Sequence, residues 1–442
     1  KAGVFAVRQG KPLAENILLQ LQNKPPKPFT PQKTFLSLVS TGDKYAVASK
    51  SRWAFSGRWV WRWKDYIDQK FMKQLNEFKM SDKKSDHTTI QISSPELENT
   101  AMRCGGCGAK VGQPILQRVI NQLSTPLNND IQLGLDAPDD AAVLTVPSSK
   151  YLVQSVDAFR SMIDDDYLFG QIAANHALGD VFAMGAKPHS AQAIATLPFS
   201  SESKVEQQLL HIMEGATKVF SQCGMSLMGG HTAEGAELSL GFVVNGLADP
   251  NTLLRKSGLQ VGDKIILTKP LGTGALFAAD MRGEAHGKWI KYAIQSMSQL
   301  NQSAAECLIK YGAKACTDVT GFGLVGHLVE MLRASHVSAT LSLNELPLLE
   351  GVSECLKANI VSTLQPQNEK IRHVISNLDQ FTDLPDLPIL FDPQTAGGLI
   401  AGIPNAHADS CLDELSSSGY IHAAIIGEVC ELKSGSKQIT LI

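Results

Sequence analysis

The chain has 442 residues, a net charge of -3, 43% hydrophobic and 19% charged residues. That is enough for two or three globular domains with cores of their own, and no window approaches the eighteen apolar residues of a membrane-spanning helix. Eight cysteines, several solitary among apolar neighbours (Cys223, Cys307, Cys355, Cys411), argue against a disulfide scaffold and for a reducing cytoplasm.

Charge is unevenly divided. Residues 1–80 hold 15 Lys/Arg against 5 Asp/Glu, and the remainder holds 25 against 38. Four of the five tryptophans (Trp53, Trp59, Trp61, Trp63) also fall in the basic part, so the chain reads as two pieces of different origin. It begins at Lys1 without a signal-peptide layout and is expected to be a piece of a longer product. The first piece, residues 1–78, has a connector "NKPPKPFTPQK", then two strand-like runs, "TFLSLVS" and "KYAVAS". In "GRWVWRWKDYIDQKFMKQLNEF", Trp59, Trp63, Tyr66, Ile67, Lys70 and Phe71 recur at roughly helical spacing. This predicts a helix that packs on a partner domain or, alternatively, lies on an anionic membrane, giving weak contact through residues 53–78. The piece has no Gly-rich dinucleotide loop. Residues 79–99 are polar and aperiodic and read as a linker.

From residue 100 the texture is α/β. "KYLVQSV" and "ELSLGFVVNGLA" read as strands and "YLFGQIAANHALGDVFAMG" as a helix rich in small residues. "DKIILTKPLGTG" opens a second region, which puts domains at 100–255 and 256–442. Acidic residues sit at element ends: Asp139 and Asp140 before a strand, Asp157 after one, Asp180 one helical turn after His176, and Asp318 at a strand-to-loop step. Each alone reads first as a cap or turn residue. Together, beside small residues, they suit Mg²⁺ bridging carboxylates and nucleotide phosphates. Two glycine-rich stretches, "LMGGHTAEG" and "DPQTAGGL", offer backbone N–H groups to phosphate through Gly229, Gly230, His231 and Thr232, and through Gln394, Thr395, Gly397 and Gly398. "GFGLVG" (321–326) matches a dinucleotide pattern, with Glu345 at about the right distance. The preceding "CTDVT" is too polar for a buried parallel strand, so a helix N-terminus beside a metal-linked phosphate fits better. No Walker-type loop occurs, so any use of ATP rests on carboxylates and metal ions.

"MRCGGCGAKVG" (101–111) allows three readings. A zinc site needs a second ligand pair, and the histidines are scattered. A dithiol centre usually opens a helix in a βαβ setting, whereas this stretch follows a polar linker. The third reading is a loop presenting Cys107 with Lys110 close behind, where an ammonium favours the thiolate and neutralises phosphate.

"GGCGAK", "PDDAAV", "SVDAF", "NHALGDVFAMGAKP", "GGHT", "LTKPLGTG", "TDVTGFGLVGH" and "DPQTAGGL" occur in the order and spacing of the selenophosphate synthetase (selenide, water dikinase) family. The resemblance covers about residues 100–442. It implies an AIR-synthetase-like α/β (α+β) architecture of two domains, a homodimer, and synthesis of selenophosphate from ATP, selenide and water with release of AMP and phosphate. By the same resemblance, Cys107 matches the catalytic cysteine and Lys110 the essential lysine. Asp140, Asp180 and Asp318 match Mg²⁺ ligands, while Lys110, Ala137, Pro138, Asp139, Asp157, Asp180, Gly230, His231 and Thr232 match ATP-holding positions. Some members carry a second cysteine immediately before the lysine, where this chain has Ala109, leaving Cys107 as the single expected nucleophile. The glycine-rich arm is expected to close over the nucleotide as a lid.

Residues 1–78 resemble the last part of a flavin-dependent NADH dehydrogenase-like reductase, through "KAGVFAVRQGKPLAENI", "STGDKYAVAS" and the Trp-rich stretch. The flavin and NAD loops of that family would lie before Lys1, so no oxidoreductase activity is expected here. Two other functions fit the residues: a small-metabolite kinase of the same fold, which would not need Cys107, and an adaptor built on residues 1–78. No nucleic-acid partner is expected.

Overall fold

The computed structural model describes residues 3–22, 24–30, 36–42, 44–50, 53–76, 111, 113–124, 126, 128–135 and 142–442. The chain divides into two compact units, Lys1–Ser93 and Ser94–Ile442. In the first, helix α1 (Gly3–Leu21) precedes an antiparallel sheet of β1 (Ser37–Gly42), β2 (Tyr45–Lys50) and β3 (Trp53–Gly57), followed by helix α2 (Arg58–Asn76). Strand alternation turns Ala46 and Ala48 of β2 inward, where Val60 of α2 closes a very small core. The spacing predicts a helix in the aromatic segment and α2 is that helix. Trp59, Trp63, Tyr66 and Ile67, however, lie on its exposed face.

The second unit begins with α3 (Gln113–Ile120) and a short hairpin of β4 (Ile131–Leu133) and β5 (Val143–Leu144). Its first half contains β6 (Tyr151–Arg160), α4 (Asp166–Ala183), β7 (Lys187–Pro198), α5 (Glu202–Gln222), β8 (Ser226–Gly235) and β9 (Ser239–Ala248). These strands form one sheet in the order β6-β9-β7-β8, with β7 and β8 parallel across the α5 crossover and the other pairs antiparallel. The second half runs β10 (Lys264–Leu267), α6 (Thr273–Met281), α7 (Gly287–Ser298), α8 (Gln302–Lys310), β11 (Cys316–Asp318), α9 (Gly323–Ser335) and β12 (Val337–Leu341). It ends with α10 (Val352–Lys357), α11 (Gln365–Asn368), β13 (Leu399–Ile403), α12 (Asn405–Ser417), β14 (Ala424–Glu431) and β15 (Ile439–Leu441). Its sheet order is β11-β13-β10-β14-β12-β15.

Helix α4 joins the two halves. Asp165 caps it, its side chain accepting from the Leu168 N–H at 2.8 Å. It is apolar nearly all round, as a helix buried on every side must be, and it packs on β6 and β9, on α5, and on α7, α8 and β11 of the second half. Its glycines permit that density: a Cβ on Gly170 would fall 2.0 Å from the Ile212 carbonyl oxygen, and one on Gly215 of α5 would fall 2.0 Å from that of Tyr167. Among the described residues no helix is long and apolar enough to cross a membrane.

Candidate active site

Strand β6 points alternate residues at α4, which places Ser155, Asp157 and Phe159 on one face. Asp157 was expected just after a strand. It lies within β6, because the strand runs on to Arg160 in register with β9. His176 and Asp180, one turn apart on α4, face these residues. Ser155 Oγ donates a hydrogen bond to Asp180 Oδ2, and His176 Nε2 stands 4.0 Å from Asp157 Oδ1. Asp318 arrives from the other half at the end of β11, 6% exposed, so close to α4 that a Cβ on Gly179 would stand 2.5 Å from its Oδ2. Three carboxylates from two halves therefore share one cleft.

They repel one another. Burial raises the Asp157 carboxyl to about 6, with the Asp180 charge adding to the rise. Asp318 lies well above the usual carboxylate range, through burial first and then the Asp180 and Asp157 charges. Among the described residues the cations around it are committed elsewhere. Lys269, 1% exposed, donates its ammonium to the carbonyls of Gln299 and Ala396, and burial pulls it down to about 7 against the attraction of Asp318. Lys256 pairs with Glu330. Among the described residues no three His, Cys, Asp or Glu side chains converge closely enough to hold a metal ion by themselves. The donors are hard oxygens with uncompensated charge, which fits a hydrated divalent cation that keeps waters or phosphate oxygens in its remaining positions.

Gly230, His231 and Thr232, read as offering backbone N–H groups to phosphate, lie in strand β8, paired in parallel register with Ala193, Ile194 and Ala195 of β7. A Cβ on Gly230 would stand 2.4 Å from the Ala193 carbonyl oxygen, so this glycine lets the two strands approach. The three residues help line a cavity of about 320 Å³ whose apolar walls include Leu116, Val119, Leu209 and Met213. Strand β8 is at the edge of the sheet opposite β6. Three strand spacings put it about 14 Å across the sheet from β6 and its Asp157, so the structure splits the expected nucleotide residues between two places. Cys107, Lys110, Ala137, Pro138, Asp139 and Asp140 lie outside the described residues.

The "DPQTAGGL" stretch is no open phosphate cradle. Gln394 Oε1 accepts from the N–H groups of Gly272 and Thr273 at 2.9 and 3.2 Å, satisfying the start of α6, and the Thr395 N–H donates to Thr273 Oγ1 at 3.0 Å. A Cβ on Gly397 would stand 2.0 Å from the Val319 carbonyl oxygen. In "GFGLVG", Gly323 has φ +71 and a Cβ there would meet the backbone carbonyl carbon of Phe391 at 2.8 Å. Gly397, Gly398 and Gly323 serve backbone packing, which local spacing cannot separate from ligand approach. Sequence reasoning also passed over Ser155 and Lys269, although the lysine lies inside the quoted "LTKPLGTG".

Residues 138–248 match the N-terminal domain of AIR synthase related proteins and residues 260–439 match the C-terminal domain. A selenide, water dikinase of Clostridioides difficile is 36% identical over 345 residues, spanning 76% of this chain and 96% of that protein. That of Myxococcus xanthus is 36% identical over 336 residues, spanning 75% and 94%. Among solved structures, the thiamine-monophosphate kinase of Stenotrophomonas maltophilia aligns with TM-score 0.53 at 20% identity, over 74% of this chain and 94% of its own. The hydrogenase maturation protein HypE of E. coli aligns with TM-score 0.54 at 18% identity, over 75% and 93%. At those identities the structural likeness establishes the fold, which is AIR-synthase-like.

Proposed function

The chain belongs to the selenide, water dikinase family, and on that premise we propose how its residues carry out the reaction. The activity is ATP-dependent synthesis of selenophosphate from selenide and water, a phosphotransfer that releases AMP and phosphate. The observation that carries it is the 36% identity maintained over 96% of a selenide, water dikinase.

Asp180 and Asp318, with Asp140, are the residues that would hold Mg²⁺, and Asp157 would hold the nucleotide. Asp139, Ala137 and Pro138 would also hold it, as would Gly230, His231 and Thr232. Burial, with mutual repulsion adding to it, raises Asp157 and Asp318 and supports this reading, since a cation is what such a cluster lacks among the described residues. When bound, Mg²⁺ supplies positive charge to a triphosphate as its γ-phosphoryl group departs. The chain's own part is to fix the carboxylates from both halves, to keep water out of the α4 cleft, and to bring Lys110 against phosphate charge. Cys107 would receive or position selenium on a closing arm.

A homodimer is part of the proposal. Leu152, Val156 and Ile194 are exposed apolar residues of the first sheet, which suits burial against a second copy. Strands β6 and β8 are opposite edges of one sheet, so β8 of the second copy would serve the carboxylates of the first. We assign the enzyme to the cytoplasm, a setting supported by six free cysteines among the described residues. Residues 1–78 we read as derived from a flavin-dependent reductase. Exposed Trp53, Phe55, Trp59, Trp63 and Tyr66 beside Arg58 and Arg62 support a weak membrane contact by this segment.

Anaerobic product analysis tests the activity. AMP, phosphate and a phosphorus–selenium product should appear together and only when selenide is present. ATP conversion to ADP without selenide would point instead to a small-metabolite kinase of the same fold.

A further inference from the structure

His176 is half-buried on α4, and its two ring nitrogens address different halves of the unit. Nδ1 accepts the backbone N–H of Ala396 at 3.0 Å, so the proton belongs on Nε2. Nε2 in turn faces Asp157 Oδ1 at 4.0 Å. Burial keeps the ring neutral, lowering it to about 4. Phe159 meets the ring edge-on with centroids 5.0 Å apart, which restricts its rotation.

The anchor behind His176 is strained. Ala396 has φ +47, a left-handed conformation that is strained for a non-glycine residue. Its peptide groups are held on both sides: the N–H by His176, the carbonyl by the buried Lys269 ammonium at 3.2 Å. A backbone outlier tied down by two side chains, one of which also faces a site carboxylate, calls for a role beyond packing.

We propose that His176 is a positioning residue, which transmits the fixed Ala396 turn of the second half to Asp157 of the first and so presents that carboxylate to the nucleotide in one orientation. The 4.0 Å separation is beyond hydrogen-bond reach. It closes when the Asp157 side chain turns toward the ring on engaging the nucleotide, as such contacts commonly tighten in a substrate complex. The inference rests on Asp157 being a nucleotide contact.

Two substitutions separate the two nitrogens. In His176→Asn the amide oxygen stands near the place of Nδ1 and keeps the Ala396 bond but cannot reach Asp157. In His176→Gln the amide nitrogen stands near the place of Nε2 and keeps the Asp157 side but leaves the anchor. His176→Asn should raise the KM for ATP about tenfold, with kcat little changed and the melting temperature close to wild type. His176→Gln should recover most of that affinity at a lower melting temperature. In an Asp157→Asn background the His176→Asn change should add nothing, because the two act as one unit. A purely structural histidine gives the opposite ranking, with Gln the more damaging in KM, and that ranking would overturn the inference. Additive losses with Asp157→Asn would overturn it as well. Asp157→Asn alone with a wild-type KM would remove Asp157 from the nucleotide, taking both the site assignment and the inference with it.

Discussion

Gly179 and Asp318 meet across the two halves of the synthetase portion: a Cβ on Gly179 would stand 2.5 Å from Asp318 Oδ2. Gly179 immediately precedes Asp180, so this approach is what brings carboxylates of two domains together. Gly179→Val places branched carbon where the Asp318 oxygen now lies and should drive that carboxylate out of the cleft. ATP turnover should fall on the order of 100-fold, as misplacement by about an ångström does elsewhere, with the circular dichroism unchanged. Turnover within twofold of wild type would separate Asp318 from the chemistry.

The charge cluster predicts how stability depends on pH. Asp157 is raised from 3.8 to about 6, so the folded chain holds a proton that the unfolded chain has released. Stability is therefore greatest below about pH 4 on this account and is lost as pH rises through about 6, and the still higher Asp318 extends the loss upward. Melting temperature measured from pH 4 to 8 in the presence of a chelator should decline through that window after correction for the rest of the protein, using Asp318→Asn as the reference. Adding Mg²⁺ should restore it. A Mg²⁺-independent profile, identical in Asp318→Asn, would contradict the cluster.

Parts of this site were legible in the sequence and parts were not, for physical reasons. His176 and Asp180 could be put on one face because helical spacing is local, and Asp318 could be put at a strand-to-loop step because the Gly-containing "VTGFG" follows it at once. The sequence puts Asp157 after the strand and the structure puts it inside, since nothing in "SVDAF" marks where pairing with β9 ends. The opposite-edge positions of β6 and β8 depend on strand order, which spacing does not encode. Gly230, Gly397 and Gly323 looked like ligand glycines, yet their Cβ positions are filled by the protein's own backbone.

The arm around residues 101–111 separates its two cysteines. Cys107 is three residues before Lys110, near enough on a folded loop for the ammonium to favour its thiolate, and Cys104 is farther away beside Arg103. Cys107→Ser should lose selenide-dependent product while Cys104→Ser stays near wild type in an anaerobic assay. Equal losses, or zinc in the purified protein, would return the arm to a two-sulfur site.

Residues 1–90 should be dispensable for selenophosphate synthesis, because Lys1–Ser93 is a compact unit with its own sheet. The truncated protein should keep kcat and lose weak sedimentation with anionic vesicles at low salt. A soluble but inactive truncation would make the segment part of the enzyme, and full-length protein that ignores such vesicles would end the membrane reading.

Carboxylates from both domains are proposed to form one cation-dependent triphosphate site. Calorimetric titration of ATP, with and without Mg²⁺, into wild type and into Asp140→Asn, Asp180→Asn and Asp318→Asn tests it most directly. Each substitution removes one charge and keeps the side-chain shape. Wild type should bind tightly only with Mg²⁺, and all three folded variants should lose that Mg²⁺ dependence together with turnover. Wild-type Mg²⁺-dependent binding and turnover in Asp318→Asn would contradict it.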